Sequence, residues 1–109
     1  MDLTQKRCKP CKGEMERLDG EQVGLLLPDV PGWEARGERL KRSLRFTDFK
    51  AAMAFVNRMA EVAEAEQHHP DFTVHYNQVD VEVWTHVAKG LTENDFILAA
   101  KINQLTPAA

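Results

Sequence analysis

Residues 68–86 read "HHPDFTVHYNQVDVEVWTH", and apolar side chains alternate with polar ones along most of this stretch. The alternating apolar residues are Phe72, Val74 and Tyr76 in a first run and Val79, Val81 and Val83 in a second. A period of two places successive side chains on opposite faces of a β-strand. The stretch therefore predicts two strands that each bury one face.

The loop between these strands sets how they pair. Asn77-Gln78 is the only candidate for a short hairpin loop between the two runs. A two-residue loop there pairs Tyr76 with Val79 and keeps the apolar side chains on one face. Continued outward, this register places His69 opposite His86. The sequence thus predicts that histidines from two separate segments meet at one end of the hairpin.

A long helix is predicted before the hairpin. Its apolar side chains recur with helical spacing at Phe49, Met53, Val56, Ala60 and Ala63, and the stripe is widened by Ala52, Phe55 and Met59. Thr47 or Asp48 can begin this helix. Because Pro70 disfavours helical dihedral angles at the residue before it, the helix is expected to end near Gln67 or His68.

The rest of the chain supplies a second pair of strands and two more helices. A short helix follows Asp19, strands near residues 33–35 and 40–46 meet at Gly37, and a last helix begins after Thr92. The resulting order is α-β-β-α-β-β-α. Strands in adjacent pairs indicate an α+β fold, with a four-stranded antiparallel sheet and the helices packed on one face. The other face would stay uncovered, and an apolar surface there would favour self-association.

The composition is that of an ordinary globular protein. The chain has 109 residues and a net charge of −3, so nothing indicates the basic surface of a nucleic-acid-binding domain. We expect a cytoplasmic protein without a membrane partner, because no apolar run could span a bilayer and the first residues lack the apolar core of a signal peptide. Residues 1–19 form a polar N-terminal arm, and residues 20–109 form a single domain.

The arm carries the only two cysteines, Cys8 and Cys11, in the sequence Cys-Lys-Pro-Cys. A thioredoxin-like site would need a strand before the motif and a helix after it, and neither is indicated. A structural zinc site would need four ligands, of which only two lie here. A reduced pair, a partial metal site and an oxidised bridge all stay open. The nearby Lys6, Arg7, Lys9 and Lys12 predict a solvated arm.

His68, His69 and His86 have three alternative roles. They could hold a zinc ion, although adjacent histidines rarely bind one ion together because their side chains diverge. They could transfer protons, because imidazole titrates near neutral pH. They could also be ordinary polar residues at an exposed end of the sheet.

Two carboxylates favour the proton-transfer role. Glu64 lies one helical turn before His68, so their side chains can meet. Asp95 lies in the first turn of the last helix, near the end of the strand that carries His86. A carboxylate beside an imidazole fixes its tautomer and favours its protonated form. A surface charge pair for Glu64 and simple helix capping for Asp95 are the alternatives.

These residues resemble the pterin-4a-carbinolamine dehydratase family, also called 4a-hydroxytetrahydrobiopterin dehydratase. The family pattern has an acidic residue, a His-His-Pro sequence, an aromatic residue, a further histidine and an aspartate, which correspond here to Glu64, residues 68–70, Tyr76, His86 and Asp95. The resemblance covers about residues 20–105. It implies a hydro-lyase with no metal and no cofactor, whose substrate is a tetrahydropterin with a hydroxyl at C4a.

The resemblance also implies roles for the candidate site residues. The three active-site histidines correspond to His68, His69 and His86. We expect His68 and His86 to be the proton-transfer pair and His69 to help place the C4a hydroxyl. Glu64 is expected to bind the pterin or orient His68, and Asp95 to orient His86.

Trp33 and Phe72 are further candidates, for the wall of the pterin pocket, with core packing as their alternative. Family members assemble as dimers or tetramers, so we expect a homodimer or homotetramer. Two other functions stay open. The chain could be a non-catalytic dimerisation or interaction module, because some members bind a transcription factor. It could also act on another pterin, for instance in molybdenum-cofactor metabolism.

Overall fold

The structure is a computed structural model that describes residues 2–9 and 16–106; Cys11 and Lys12 lie outside the described residues. The helices are α1 (Gly20–Leu26), α2 (Phe49–Glu66) and α3 (Glu93–Asn103), and the strands are β1 (Glu34–Arg36), β2 (Arg39–Arg45), β3 (Asp71–His75) and β4 (Gln78–Val83). Short 3₁₀ helices occur at Leu3–Gln5 and Leu27–Asp29. The predicted order of helices and strands and the α+β class are confirmed. In the described part of the chain, no helix has the length and apolar character needed to cross a membrane.

The four strands form one antiparallel sheet in the order β1-β2-β4-β3. Its inner face carries buried apolar side chains from the two central strands, namely Leu40, Leu44, Val79, Val81 and Val83. The helices α2 and α3 both contact β4 and each other. Most side chains of α3 are buried, because α3 also packs against the N-terminal 3₁₀ helix. The core thus lies between the sheet and two helices on one face, as predicted.

The outer face of the sheet is polar. Cross-strand contacts on this face join Ser43 Oγ to Asp80 Oδ1 at 2.6 Å and Lys41 Nζ to Glu82 Oε1 at 2.9 Å. Charged side chains at such positions disfavour association of this face with an apolar surface. The uncovered face is therefore not an apolar surface of the kind that would favour self-association.

The register of the second hairpin differs from the prediction. His75 pairs with Gln78, so the loop is Tyr76-Asn77, one position earlier than expected. The physical reason is a tertiary contact: the backbone N–H of Phe46 donates to the carbonyl of Asn77 at 2.8 Å, and the Asn77 amide donates back to the Phe46 carbonyl at 3.1 Å. The end of β2 thus fixes the loop, and the apolar side chains keep the face that was predicted.

The corrected register changes what lies beside the histidines. Continued past the last pair, Asp71 with Glu82, it places His69 level with Trp84 instead of His86. Histidines from both segments still reach the same end of the hairpin. In this register His69 and His86 are offset by two positions, so they do not form a cross-strand pair.

The long helix has the predicted boundaries. Asp48 caps it by accepting a hydrogen bond from the backbone N–H of Ala51 at 2.8 Å. Gln67 ends it in the left-handed conformation with φ 53°. This reversal decides where the next two side chains, His68 and His69, point.

The N-terminal arm is docked on the domain along the part that is described, residues 2–9 and 16–19. Leu3 is buried in the core, and Lys6 Nζ lies 2.8 Å from Glu93 Oε2. The backbone N–H of Cys8 donates to Glu66 Oε1 at 2.8 Å. The expectation of a fully solvated arm is therefore wrong, because one leucine among polar residues is enough to anchor the segment when paired polar groups flank it.

A tight corner before β1 depends on Gly32, whose φ is 88°. A Cβ atom at this position would lie 2.9 Å from Nε of Arg42. Residues other than glycine are strained at positive φ. Gly24, by contrast, lies inside α1 with nothing within 4 Å of the position of its added Cβ.

We predict opposite effects for the same change at these two glycines. Gly32→Ala should lower the free energy of unfolding by about 1–2 kcal/mol, because of left-handed strain. Gly24→Ala should raise it by up to about 1 kcal/mol, because alanine favours a helix. Urea unfolding of the two variants beside the parent protein measures both changes. Equal signs would contradict the assigned conformation of the corner.

The buried Glu66 gives a prediction for pH. Burial alone would raise the pKa of Glu66, but Lys101, the Cys8 N–H and Arg7 outweigh it and hold the pKa below its usual value. A depressed pKa in the folded state stabilises the protein above the unfolded pKa, and this contribution disappears as pH falls through the folded value.

Glu66→Gln should therefore lower the free energy of unfolding by about 2 kcal/mol near neutral pH. The difference from the parent should shrink as the pH falls below about 4.5, the ordinary value for glutamate. Denaturant titrations across this range measure it. Glu61→Gln, an exposed change on the same helix, is the control and should stay within about 0.5 kcal/mol of the parent at every pH. A Glu66→Gln deficit that is constant with pH would contradict the charged role of Glu66.

Candidate active site

A buried histidine–carboxylate pair lies at the centre of the site. Nε2 of His68 is 2.6 Å from Oδ1 of Asp95, and the two side chains are 5% and 0% exposed. The other oxygen, Oδ2, accepts hydrogen bonds at 2.9 Å from the hydroxyl of Thr85 and from the backbone N–H of Thr92. Three donors thus surround one carboxylate that has no contact with water.

This geometry fixes the tautomer of His68. An ionised carboxylate can only accept, so Nε2 of His68 carries a proton and donates it to Asp95. Such a pair holds the imidazole ring in one orientation. The expectation that Asp95 orients His86 is therefore corrected: Asp95 contacts His68. Thr85 continues the inward alternation of Val81 and Val83, so it reaches the carboxylate and His86 points outward.

His69 points the other way, toward the exposed side of α2. Its Nε2 lies 2.5 Å from Oε2 of Glu64, and both side chains are more than half exposed. The expectation that Glu64 orients His68 is therefore corrected. The left-handed turn at Gln67 interrupts the helix before the i, i+4 geometry can form, so the next residue turns inward and the one after it folds back to Glu64.

His86 is exposed and packs on an aromatic ring. The centroids of the His86 and Trp84 rings are 3.9 Å apart at an angle of 42°. The indole N–H of Trp84 donates to Oδ2 of Asp71 at 3.2 Å, and the guanidinium of Arg39 lies 4.6 Å from the centre of the indole. Groups from β2 and β3 thus hold Trp84, which in turn restricts the ring of His86.

The exposed histidines are linked through the buried carboxylate. His69 follows His68 in the chain and His86 follows Thr85, and both of these neighbours bind Asp95. The site therefore has two exposed imidazoles, each one residue away from a side chain that is locked in the interior.

The two aromatic candidates, Trp33 and Phe72, contact residues other than the histidines. Trp33 is buried, and its indole N–H donates to Oδ1 of Asn103 at 2.8 Å. Asn103 and Asp95 are eight residues apart on α3, which is about 12 Å along the helix axis. Phe72 is 43% exposed on β3, where it pairs with Val81.

Sequence reasoning missed Thr85, Thr92 and Trp84. Thr92 was predicted only as a helix cap, yet it also serves the buried carboxylate. Thr85 and Trp84 directly precede His86, and their alternation along the strand was the available signal. It indicates that one of them points into the core and the other outward.

The described residues contain no group of three or more His, Cys, Asp or Glu side chains arranged to hold a metal ion. His68 and His69 diverge toward different carboxylates. A cleft of about 590 Å³ does open on the outer face of the sheet, but none of the four histidines lines it. Its walls carry charges of both signs, including Arg36, Lys41 and Asp80. The histidine cluster holds the groups that can move protons, so we take it as the candidate active site.

Comparisons with known proteins identify the family of the chain. The family model for pterin 4 alpha carbinolamine dehydratase matches residues 16–105. A relative from Rubrobacter xylanophilus, provisionally named pterin-4-alpha-carbinolamine dehydratase, is 45% identical over 95% of this chain and 98% of its own length. Another from Stenotrophomonas maltophilia, with the same provisional name, is 49% identical over 95% and 91%. The crystal structure of a transcriptional coactivator/pterin dehydratase from Brucella melitensis matches with a TM-score of 0.79 and 36% identity, over 83% of this chain and 98% of that chain. The chain therefore belongs to the pterin-4-alpha-carbinolamine dehydratase family.

Proposed function

We propose that the protein is a hydro-lyase that dehydrates pterin-4a-carbinolamine, or 4a-hydroxytetrahydrobiopterin, to the quinonoid dihydropterin. In this reaction the C4a–O bond breaks and the oxygen leaves as water. The N5–H bond loses its proton, and its electron pair forms the C4a=N5 double bond. Hydroxide is a poor leaving group, so an acid must protonate the oxygen while a base removes the N5 proton.

The observation that carries this proposal is a pair of exposed imidazoles beside a buried His68–Asp95 pair. His69 and His86 are open to a small molecule, and imidazole can serve as acid or base near neutral pH. We therefore assign proton transfer to His69 and His86. His68, which is 5% exposed, is assigned a positioning role with Asp95. This differs from the expectation that His68 itself moves a proton.

Each exposed histidine has a neighbouring side chain that restrains its ring. Glu64 accepts a hydrogen bond from Nε2 of His69, which leaves Nδ1 as the basic nitrogen of the neutral ring. Trp84 supplies a flat wall beside His86, a surface on which a planar pterin ring can also pack.

The proposal places the protein in tetrahydrobiopterin recycling, after hydroxylases that leave the 4a-hydroxypterin behind. It includes a cytoplasmic location and a homodimer or homotetramer, and it requires no cofactor. The alternative of an interaction module has support from the Brucella melitensis protein, which is described as a coactivator as well as a dehydratase. Action on another pterin is the second alternative.

The test is turnover of freshly generated 4a-hydroxytetrahydropterin. His69→Ala and His86→Ala should each lower kcat/KM by roughly 10²–10⁴-fold, the usual contribution of one positioned acid or base. His75→Ala is the matched control, because His75 is exposed on β3 with Nε2 3.9 Å from Asp80. It should keep kcat/KM within about twofold of the parent.

Other results would contradict this assignment. A parent protein that does not accelerate the dehydration would favour the interaction module or another pterin. A loss in His75→Ala as large as in His86→Ala would mean that the exposed histidines act through stability and not through proton transfer.

A further inference from the structure

The N-terminal arm lies outside the motif that defines the family, yet it contacts both helix ends that carry the active-site pair. Glu66 is the last residue of α2, two positions before His68. Asn94 is the second residue of α3, directly before Asp95. Both are buried polar residues that the proposed reaction does not use.

Glu66 gathers three positive or donor groups around a carboxylate that is 5% exposed. The backbone N–H of Cys8 donates to Oε1 at 2.8 Å. Lys101 Nζ lies 2.8 Å from Oε2 and Arg7 Nε lies 3.0 Å from the same oxygen. One carboxylate therefore ties the arm to α2 and ties α2 to α3.

Asn94 holds the next residue of the arm in two directions. Its Oδ1 accepts from the backbone N–H of Lys9 at 2.9 Å, and its Nδ2 donates to the carbonyl of Lys9 at 2.7 Å. Because the Asn94 amide bonds both the N–H and the carbonyl of Lys9, it fixes the orientation of Lys9 as well as its distance from Asn94. The arm thus bridges the end of α2 and the start of α3, which are also joined by the bond between His68 and Asp95.

We propose that arm residues 2–9 position the active site, and that Glu66 and Asn94 are the positioning residues through which the arm holds His68 against Asp95. The inference rests on the proposed function for its kinetic consequence. The link is mechanical: when the arm is undocked, the two helix ends lose a bridge that runs parallel to the histidine–carboxylate bond. A misplacement of catalytic groups by about 1 Å can lower a rate by up to about a hundredfold.

This role also accounts for Cys8 without thiol chemistry. Burial, followed by the nearby Glu66 carboxylate, raises the pKa of the Cys8 thiol to about 12. The thiol therefore stays protonated near neutral pH and is a poor nucleophile. Its backbone N–H donates to Glu66, and its Sγ donates to the carbonyl of Asn94 at 3.5 Å. Slow alkylation of the thiol therefore reports that the arm is docked.

The test uses Asn94→Ala in the full-length chain, with Asn103→Ala as its matched control. Asn103 also lies on α3 and also fixes a distant segment, because it accepts from Trp33 and donates to the carbonyl of Pro31 at 3.0 Å. Asn94→Ala should lower kcat by roughly ten- to hundredfold with KM changed by less than about twofold. Asn103→Ala should keep kcat within about twofold even where it lowers the melting temperature as much.

Two further measurements show whether undocking of the arm causes the loss of kcat. In a Cys11→Ser background, iodoacetamide should alkylate Cys8 faster in Asn94→Ala than in the parent, and no faster in Asn103→Ala. Nitrogen NMR of isotope-labelled histidine, without substrate, should show the His68 ring moving from one fixed tautomer toward an average of two in Asn94→Ala. If Asn94→Ala does not fold, the same measurements are made on Leu3→Ala. This change undocks the arm at its far end, because Leu3 is buried in the core.

Several outcomes would overturn the inference. They are an unchanged kcat with Cys8 exposed, an unchanged alkylation rate in Asn94→Ala, or an equal loss of kcat in Asn103→Ala. If the parent does not catalyse the dehydration, the proposed function fails and the NMR comparison alone decides. A His68 signal that is unaltered when the arm is undocked would then reject the positioning role.

Discussion

A completely buried carboxylate, that of Asp95, holds three parts of the fold together. A charge without water is costly unless hydrogen bonds replace its hydration. Asp95 meets this requirement with His68 from the end of α2, Thr85 from the end of β4 and Thr92 from the start of α3. The carboxylate is therefore satisfied only when all three elements arrive together, which makes the geometry of the site a condition of folding.

For the proposed function, the consequence is a division between one fixed imidazole and two exposed imidazoles that can transfer protons. The buried imidazole of His68 is locked by its carboxylate, while His69 and His86 stand one residue farther along their segments and are exposed. Each exposed ring has a restraint of its own, Glu64 for His69 and Trp84 for His86. Groups that are fixed before substrate arrives do not have to be ordered during the reaction, which is the usual source of rate in proton-transfer sites.

Much of the fold could be predicted because its signals are local. The change of period at the hairpin, the cap at Asp48 and the order of the elements all follow from near neighbours in the chain. What could not be predicted depends on distant contacts. The hairpin register is fixed by the bonds between Phe46 and Asn77, and the opposite directions of the two adjacent histidines depend on the left-handed turn at Gln67. The sequence pattern proposed the candidate site residues, but it could not assign each carboxylate to its histidine.

The tautomer of His68 tests the central claim most directly. Long-range proton–nitrogen NMR of histidine-labelled protein near neutral pH distinguishes a proton on Nε2 from one on Nδ1. The account predicts that Nε2 of His68 carries a proton in a single, slowly exchanging state, because that nitrogen donates to the buried carboxylate. A His68 ring with its only proton on Nδ1, or one that averages rapidly between the two tautomers, would contradict it.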